Sequence, residues 1–141
     1  MEFGLGVADA LKHGTPSIQT RPCSNCILLV EDYDAIRALM ARHFEREGFT
    51  VYSASTPRDA QIIARTINPL IVIVDYDLSH ANALDALRDL RQMLPHSIII
   101  LSGGVDTRML HDKAKMYGAT ELLANGYDLT TLDRVISQAR Y

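Results

Sequence analysis

Leu70-Ile71-Val72-Ile73-Val74-Asp75 decides how this chain folds. Five consecutive apolar residues without alternation describe a strand buried on both faces, as in a parallel sheet covered by helices. Two other runs behave the same way: Ile27-Leu-Leu-Val30 stops on Glu31-Asp32, and Ile98-Ile-Ile-Leu101 stops on Ser102. Neighbouring parallel strands end along one edge, where open α/β sheets place their ligand sites. Three carboxylates and a hydroxyl then share a small pocket. Such a donor set suits Mg²⁺ and a phosphoryl group, because clustered carboxylates repel one another until a cation neutralises them.

Between the runs the spacing turns helical. Ile36, Leu39, Met40 and Phe44 mark a helix stopped by Gly48, and Val51 to Ala54 is a short strand. Thr56 and Pro57 read as N-cap and first helical residue of a helix that buries Ala60, Ile63, Ala64 and Ile67 and closes at Asn68-Pro69. Leu84, Leu87, Leu90 and Leu94 give a helix ended by Pro95, and Met109, Leu110, Ala114 and Tyr117 give one stopped by Gly118. Leu122-Leu123 is a brief fifth strand. Asp128 caps a last helix with Leu132, Val135, Ile136 and Ala139 inward. The pattern is five strands alternating with five helices, an α/β domain with right-handed crossovers.

The 141 residues suffice for one domain with a real core, and 48% of them are hydrophobic. A net charge of -3 offers no basic excess for nucleic acid or acidic membranes, so direct contact with either is not expected. No membrane-length apolar run or signal-peptide pattern occurs, which gives a cytoplasmic expectation. No Gly-rich phosphate loop follows any strand; Gly103-Gly104 is too short a match. Residues 1–26 read as a tail and linker, with one loose helix near Leu5 to Leu11 and extended chain through Thr15-Pro16 and Arg21-Pro22, ahead of a domain over 27–141. Cys23-Ser-Asn-Cys26 precedes the first strand rather than a helix, and reads as a pair of reduced thiols. The histidines, at 13, 43, 80, 96 and 111, lack zinc-ligand spacing among themselves.

From Ile27 to Ala139 the chain resembles the receiver domain of two-component response regulators. The acidic pair Glu31-Asp32, the acceptor position Asp75, the switch hydroxyl Ser102 followed by a small residue, Gly103, and Gly118-Ala119 before the fifth strand match the family pattern in order and spacing. The resemblance implies a flavodoxin-like (βα)5 sandwich with strand order 2-1-3-4-5. It implies that Asp75 takes a phosphoryl group from a histidine kinase or phosphotransfer protein, and that Mg²⁺ is held by Asp32, Asp75 and the backbone carbonyl of Asp77, with Glu31 reaching it through water. Ser102 would turn toward the phosphoryl oxygens. Output would pass by protein contact to a downstream target, through the helix after the first strand or the surface of the last two helices and fifth strand, where a homodimer is also conceivable.

The departures are equally specific. The family lysine after the fifth strand, with its cis proline, is here Asn125-Gly126. An amide donates hydrogen bonds but contributes no charge. Ser79, Ala83 and Leu122 stand where the family has proline, glycine and an aromatic switch residue. An atypical receiver acting as a phosphorylation-independent module is therefore the alternative. A remoter one rests on the likeness of Asp75-Tyr-Asp77 to the nucleophile motif of haloacid-dehalogenase-type phosphatases, but the acidic pair lies on the wrong side and no later lysine follows a suitable strand. The chain is accordingly not expected to be an enzyme.

Overall fold

The computed structural model describes residues 4–13 and 21–140. The extended linker expected at Thr15-Pro16 lies outside the described residues. In chain order the elements are α1 (Val7–His13), β1 (Cys23–Val30), α2 (Asp34–Arg46), β2 (Thr50–Ala54), α3 (Pro57–Ile67), β3 (Pro69–Asp75), α4 (Ala83–Met93), β4 (Ile98–Ser102), α5 (Arg108–Tyr117), β5 (Glu121–Leu123) and α6 (Leu129–Arg140). The strands form one parallel sheet in the order β2-β1-β3-β4-β5, as the resemblance implied.

Strand parity explains why the apolar runs are unbroken. Leu28, Val30, Val72, Val74, Ile99 and Leu101 point to one face, where they meet α3 and α4 through Ala60, Ile63, Leu87 and Leu90. Their neighbours Ile27, Leu29, Ile71, Ile73, Ile98 and Ile100 point to the other, against Met40 and Phe44 of α2 and Leu132 and Ile136 of α6. Both faces are dry, so polar residues can enter only at the strand ends. Register then aligns those ends: Val30 pairs with Val74, Val74 with Leu101, and Asp75 with Ser102.

Helix boundaries follow side-chain chemistry. The Thr56 hydroxyl accepts from the Asp59 N–H at 3.2 Å and Pro57 occupies the first turn, while Asn68 ends α3 in the left-handed region at φ 51°. Asn82 caps α4, Thr107 caps α5, and the Asp128 carboxylate accepts from the Thr131 N–H at 2.8 Å ahead of α6. Gly118 closes α5 at φ 109°, and a Cβ there would stand 2.6 Å from Arg91 Cγ. Arg91 is held in place by bonds to the carbonyls of Gly118 (2.7 Å), Leu94 (3.0 Å) and Ser97 (2.8 Å). Gly118→Ala therefore combines backbone strain with a clash, and the expected loss is about 1–3 kcal/mol, read from the urea midpoint.

Several expectations need correction. The helix after the first strand is rotated from the anticipated stripe: Met40, Ala41 and Phe44 are buried, whereas Ile36 and Leu39 are 45% and 61% exposed. Ala139 is exposed because it sits in the last turn of α6, past Ile136, the last buried residue of the helix. The five helices expected between and after the strands are present, and the loose helix expected near Leu5 to Leu11 is α1. The N-terminal stretch is not a separate tail, however, and lies against the domain. Leu5 donates to the Val51 carbonyl and accepts from the Ser53 N–H, both at 2.7 Å, adding a bridge to the outer edge of β2. From α1, Ala10 is fully buried in the core on the α3 side.

The cysteine pair lies inside β1 and is joined as a disulfide, contrary to the reduced thiols expected. Three residues of regular strand span about 10 Å, too far for a bridge. Here the pairing with β3 slips between Cys23 and Ile27, and the irregularity draws the two Cα atoms to 5.4 Å.

Candidate functional site

Glu31 and Asp32 leave the end of β1, Asp75 ends β3, and Ser102 ends β4 directly beside it. One oxygen from each of Glu31, Asp32 and Asp75 lies within 4.8 Å of the others. Glu31 is buried at 4% exposure. Its carboxyl is pushed from 4.5 up to about 9, first by that burial, then by a hydrogen bond to Asp75 and the charges of Asp75 and Asp32; Arg37 opposes the shift. The Arg37 guanidinium donates to the Glu31 backbone carbonyl at 2.9 Å and pairs with Asp34 at 2.7 Å. At neutral pH Glu31 thus keeps its proton, within hydrogen-bonding reach of Asp75. The carboxylates of this cluster are short of positive charge, and a hard divalent cation with oxygen preference fits the donor set.

Asp32 is perturbed in the opposite direction. The Ser79 N–H donates to its Oδ2 at 2.6 Å, and this bond, reinforced by the Ser79 hydroxyl, holds its carboxyl below the usual range. A proline at this position has no N–H to give. The departure at Ser79 therefore supplies a donor to the site.

Gly103 forms the wall facing Asp75. Its N–H donates to the Leu123 carbonyl at 2.8 Å, and its φ of 101° favours glycine. A Cβ placed there would be 3.1 Å from Asp77 Oδ2, 3.3 Å from Asp75 Oδ1 and 3.6 Å from Asn125 Oδ1, so these three side chains converge above it. The Asp77 N–H also donates to Asp75 Oδ1 at 3.1 Å. Asn125 is anchored by its N–H to the Gly104 carbonyl at 2.9 Å. Gly126 then takes φ 98°, and no cis peptide occurs among the described residues. No lysine among them pairs with a carboxylate of the site.

The Ser102 hydroxyl is buried and reaches the Val74 carbonyl at 3.4 Å. It also meets the hydroxyl of Tyr127, whose own acidity is weakened by burial, partly restored by Ser102, and weakened further by the charges of Asp75 and Glu31. Sequence reasoning gave Tyr127 no role. The only signal was an aromatic two residues past Asn125, where the chain turns from β5 toward α6.

The chain belongs to the response regulator receiver domain family, whose model matches residues 27–137. It is 25% identical over 115 residues to the Regulatory protein AtoC of Escherichia coli (strain K12), covering 82% of this chain and 25% of that protein. It is 34% identical over 76 residues to the KDP operon transcriptional regulatory protein KdpE of the same organism, covering 54% of this chain and 34% of the relative. The chain thus spans a quarter to a third of the length of these relatives. Among solved structures, the Vibrio cholerae chemotaxis protein CheY4 superposes with a TM-score of 0.76 at 19% identity, over 82% of this chain and 98% of that one. The BeF3-activated receiver domain of Klebsiella pneumoniae RstA gives 0.75 at 22%, over 82% and 98%. These structures share the fold. Receiver domains are signalling modules rather than classical enzymes, which leaves the phosphatase reading without support.

Proposed function

We propose that this chain is a phosphotransfer receiver in which Asp75 is the acceptor and output passes through protein contact. The observation that carries the reading is the alignment of Glu31, Asp32, Asp75 and Ser102 at adjacent strand ends, with the buried Glu31 carboxyl hydrogen-bonded to Asp75. In the reaction an Asp75 oxygen attacks the phosphorus of a phosphohistidine, the P–N bond breaks, and the imidazole leaves with the electron pair. Glu31, Asp32 and Asp75, with the backbone carbonyl of Asp77, would hold Mg²⁺, which when bound offsets the repulsion between the acceptor carboxylate and the incoming phosphoryl group. Asp32 is kept ionised and oriented by Ser79. Ser102, next to Asp75 in register, would give its hydroxyl to a phosphoryl oxygen and release Tyr127.

The donor would be a histidine kinase or a histidine phosphotransfer protein, and the receiver of the signal a further protein, or a second copy of the chain. The exposed apolar residues Tyr33, Ile36 and Leu39 near α2, and Met109 and Met116 on α5, offer contact area. No helix among the described residues is long and apolar enough to cross a membrane. A cytoplasmic setting is part of the same proposal.

The test is an amide NMR titration with Mg²⁺ followed by beryllofluoride, a phosphoryl mimic. Shifts reaching Ser102, Tyr127 and α5 support the switch; Mg²⁺ binding without a response to beryllofluoride supports the second reading, a phosphorylation-independent binding module. The absent cation at Asn125 is what favours that second reading. A unit charge about 4 Å away near a surface is an interaction of order 4 kcal/mol before desolvation. Asn125→Lys is accordingly expected to tighten beryllofluoride binding at least tenfold, measured in the same titration.

A further inference from the structure

Beyond the acidic pocket, the described residues bring one other group of metal-ligand type together: His43, Glu47 and Asp133. His43 lies in the last turn of α2 and Glu47 is the residue that caps it, four positions on, so both project from one side of the helix. Asp133 comes from α6, which packs beside α2 on the same face of the sheet. His43 Nε2 stands 2.7 Å from Glu47 Oε1 and 2.9 Å and 3.0 Å from the two oxygens of Asp133. His43 and Asp133 are half-buried, at 27% and 29% exposure, while Glu47 is exposed. Glu47 and Asp133 border a cleft of about 240 Å³ that also touches Asn25, Phe49, Ser137 and Arg140. The Arg140 guanidinium is turned over the Phe49 ring, 5.1 Å from its centre. Asn25, near the start of β1, and Phe49, just before β2, place the cleft at the opposite end of the sheet from Asp75.

We propose that His43, Glu47 and Asp133 form a site for a transition-metal dication of the Zn²⁺ class, with water from the cleft as the remaining ligand. An imidazole nitrogen flanked by two carboxylates is a donor set that Zn²⁺, Cu²⁺ and Ni²⁺ prefer and Mg²⁺ does not. Three protein ligands and one open position is the pattern of accessible zinc sites. Zinc–nitrogen and zinc–oxygen bonds near 2.0–2.1 Å set ligand atoms about 3.3 Å apart. The observed contacts reach that spacing if each side chain withdraws by a few tenths of an ångström. A bound ion would pin the end of α2 to α6. Sequence reasoning passed over this site because it looked for spacing among histidines and cysteines, whereas the second and third ligands are carboxylates.

The experiment is Zn²⁺ titration of the full chain, disulfide intact and Mg²⁺ in excess, against a chromogenic chelator, with Co²⁺ absorption as a reading of nitrogen ligation. One Zn²⁺ per chain is expected in the parent and in Asp75→Asn, with binding at least tenfold weaker in His43→Gln and in Asp133→Asn. Circular dichroism checks that each variant is folded; should His43→Gln not fold, Asp133→Asn on the other helix decides. Absence of Zn²⁺ binding would show a hydrogen-bonded triad only and overturn the proposal. Binding unchanged in both variants, or lost in Asp75→Asn, would overturn it equally.

Discussion

Asp75→Asn is expected to abolish phosphate incorporation from a phosphohistidine donor, while Asp77→Asn retains it; intact mass after a short incubation reads both. The reason is local. Asp75 is the carboxylate that both ends a strand beside Ser102 and is hydrogen-bonded to Glu31. An amide in its place keeps the shape but is a far weaker nucleophile and offers no charge to a metal. Asp77 lies close enough to modulate the acceptor, since its N–H donates to Asp75 Oδ1 at 3.1 Å, but no strand-end pairing sets it beside Ser102. Incorporation that persists in Asp75→Asn and disappears in Asp77→Asn would move the acceptor by two residues and undo the assignment.

Metal-free protein is expected to lose stability as pH rises from about 4.5 toward 9. Glu31 has its folded value raised above its unfolded one, from 4.5 to about 9, so across that window the folded state holds a proton that the unfolded state has released. Its stabilising contribution is complete below about 4.5 and declines by about 1.4 kcal/mol per pH unit above it, roughly 3 kcal/mol by pH 7. Asp32 acts with the opposite sign: its value is lowered by Ser79, and the stability it lends is lost as pH falls below the ordinary carboxylate range. Urea midpoints of chelator-treated protein should therefore peak a little above pH 4. Glu31→Gln should flatten the alkaline side of that curve, and Mg²⁺ should restore stability there by taking the place of the proton. A flat profile in the parent protein would show that Glu31 is ionised and that the carboxylates are held apart by other means.

Much of this was legible from residue order alone. The unbroken apolar runs required burial on two faces, and the residues that stop them had to meet at one edge; Glu31, Asp32, Asp75 and Ser102 do so. Cap chemistry located α3, α5 and α6, because Thr56, Gly118 and Asp128 act within their own turn. What escaped depends on contacts between distant segments. The rotation of α2 that exposes Leu39 is set by which row fits against Ile27 and Leu29, and periodicity does not choose between adjacent rows. Ser79 on Asp32 and Tyr127 on Ser102 join residues dozens of positions apart or across a turn, and neither carries a motif. The disulfide depends on a local slip in strand pairing that no spacing rule announces.

The bridge from Leu5 to β2 bears on self-association. By its position β2 is an outer strand, and an outer strand presents a row of free amides and carbonyls on which a second chain can template itself. Here Leu5 already occupies the Val51 carbonyl and the Ser53 amide, and Ala10 closes the adjoining apolar surface. The N-terminal stretch thereby serves as a built-in edge guard. Cutting the domain at Ile27 would remove that guard together with the start of β1, and would leave a sheet whose rim is open to its own kind.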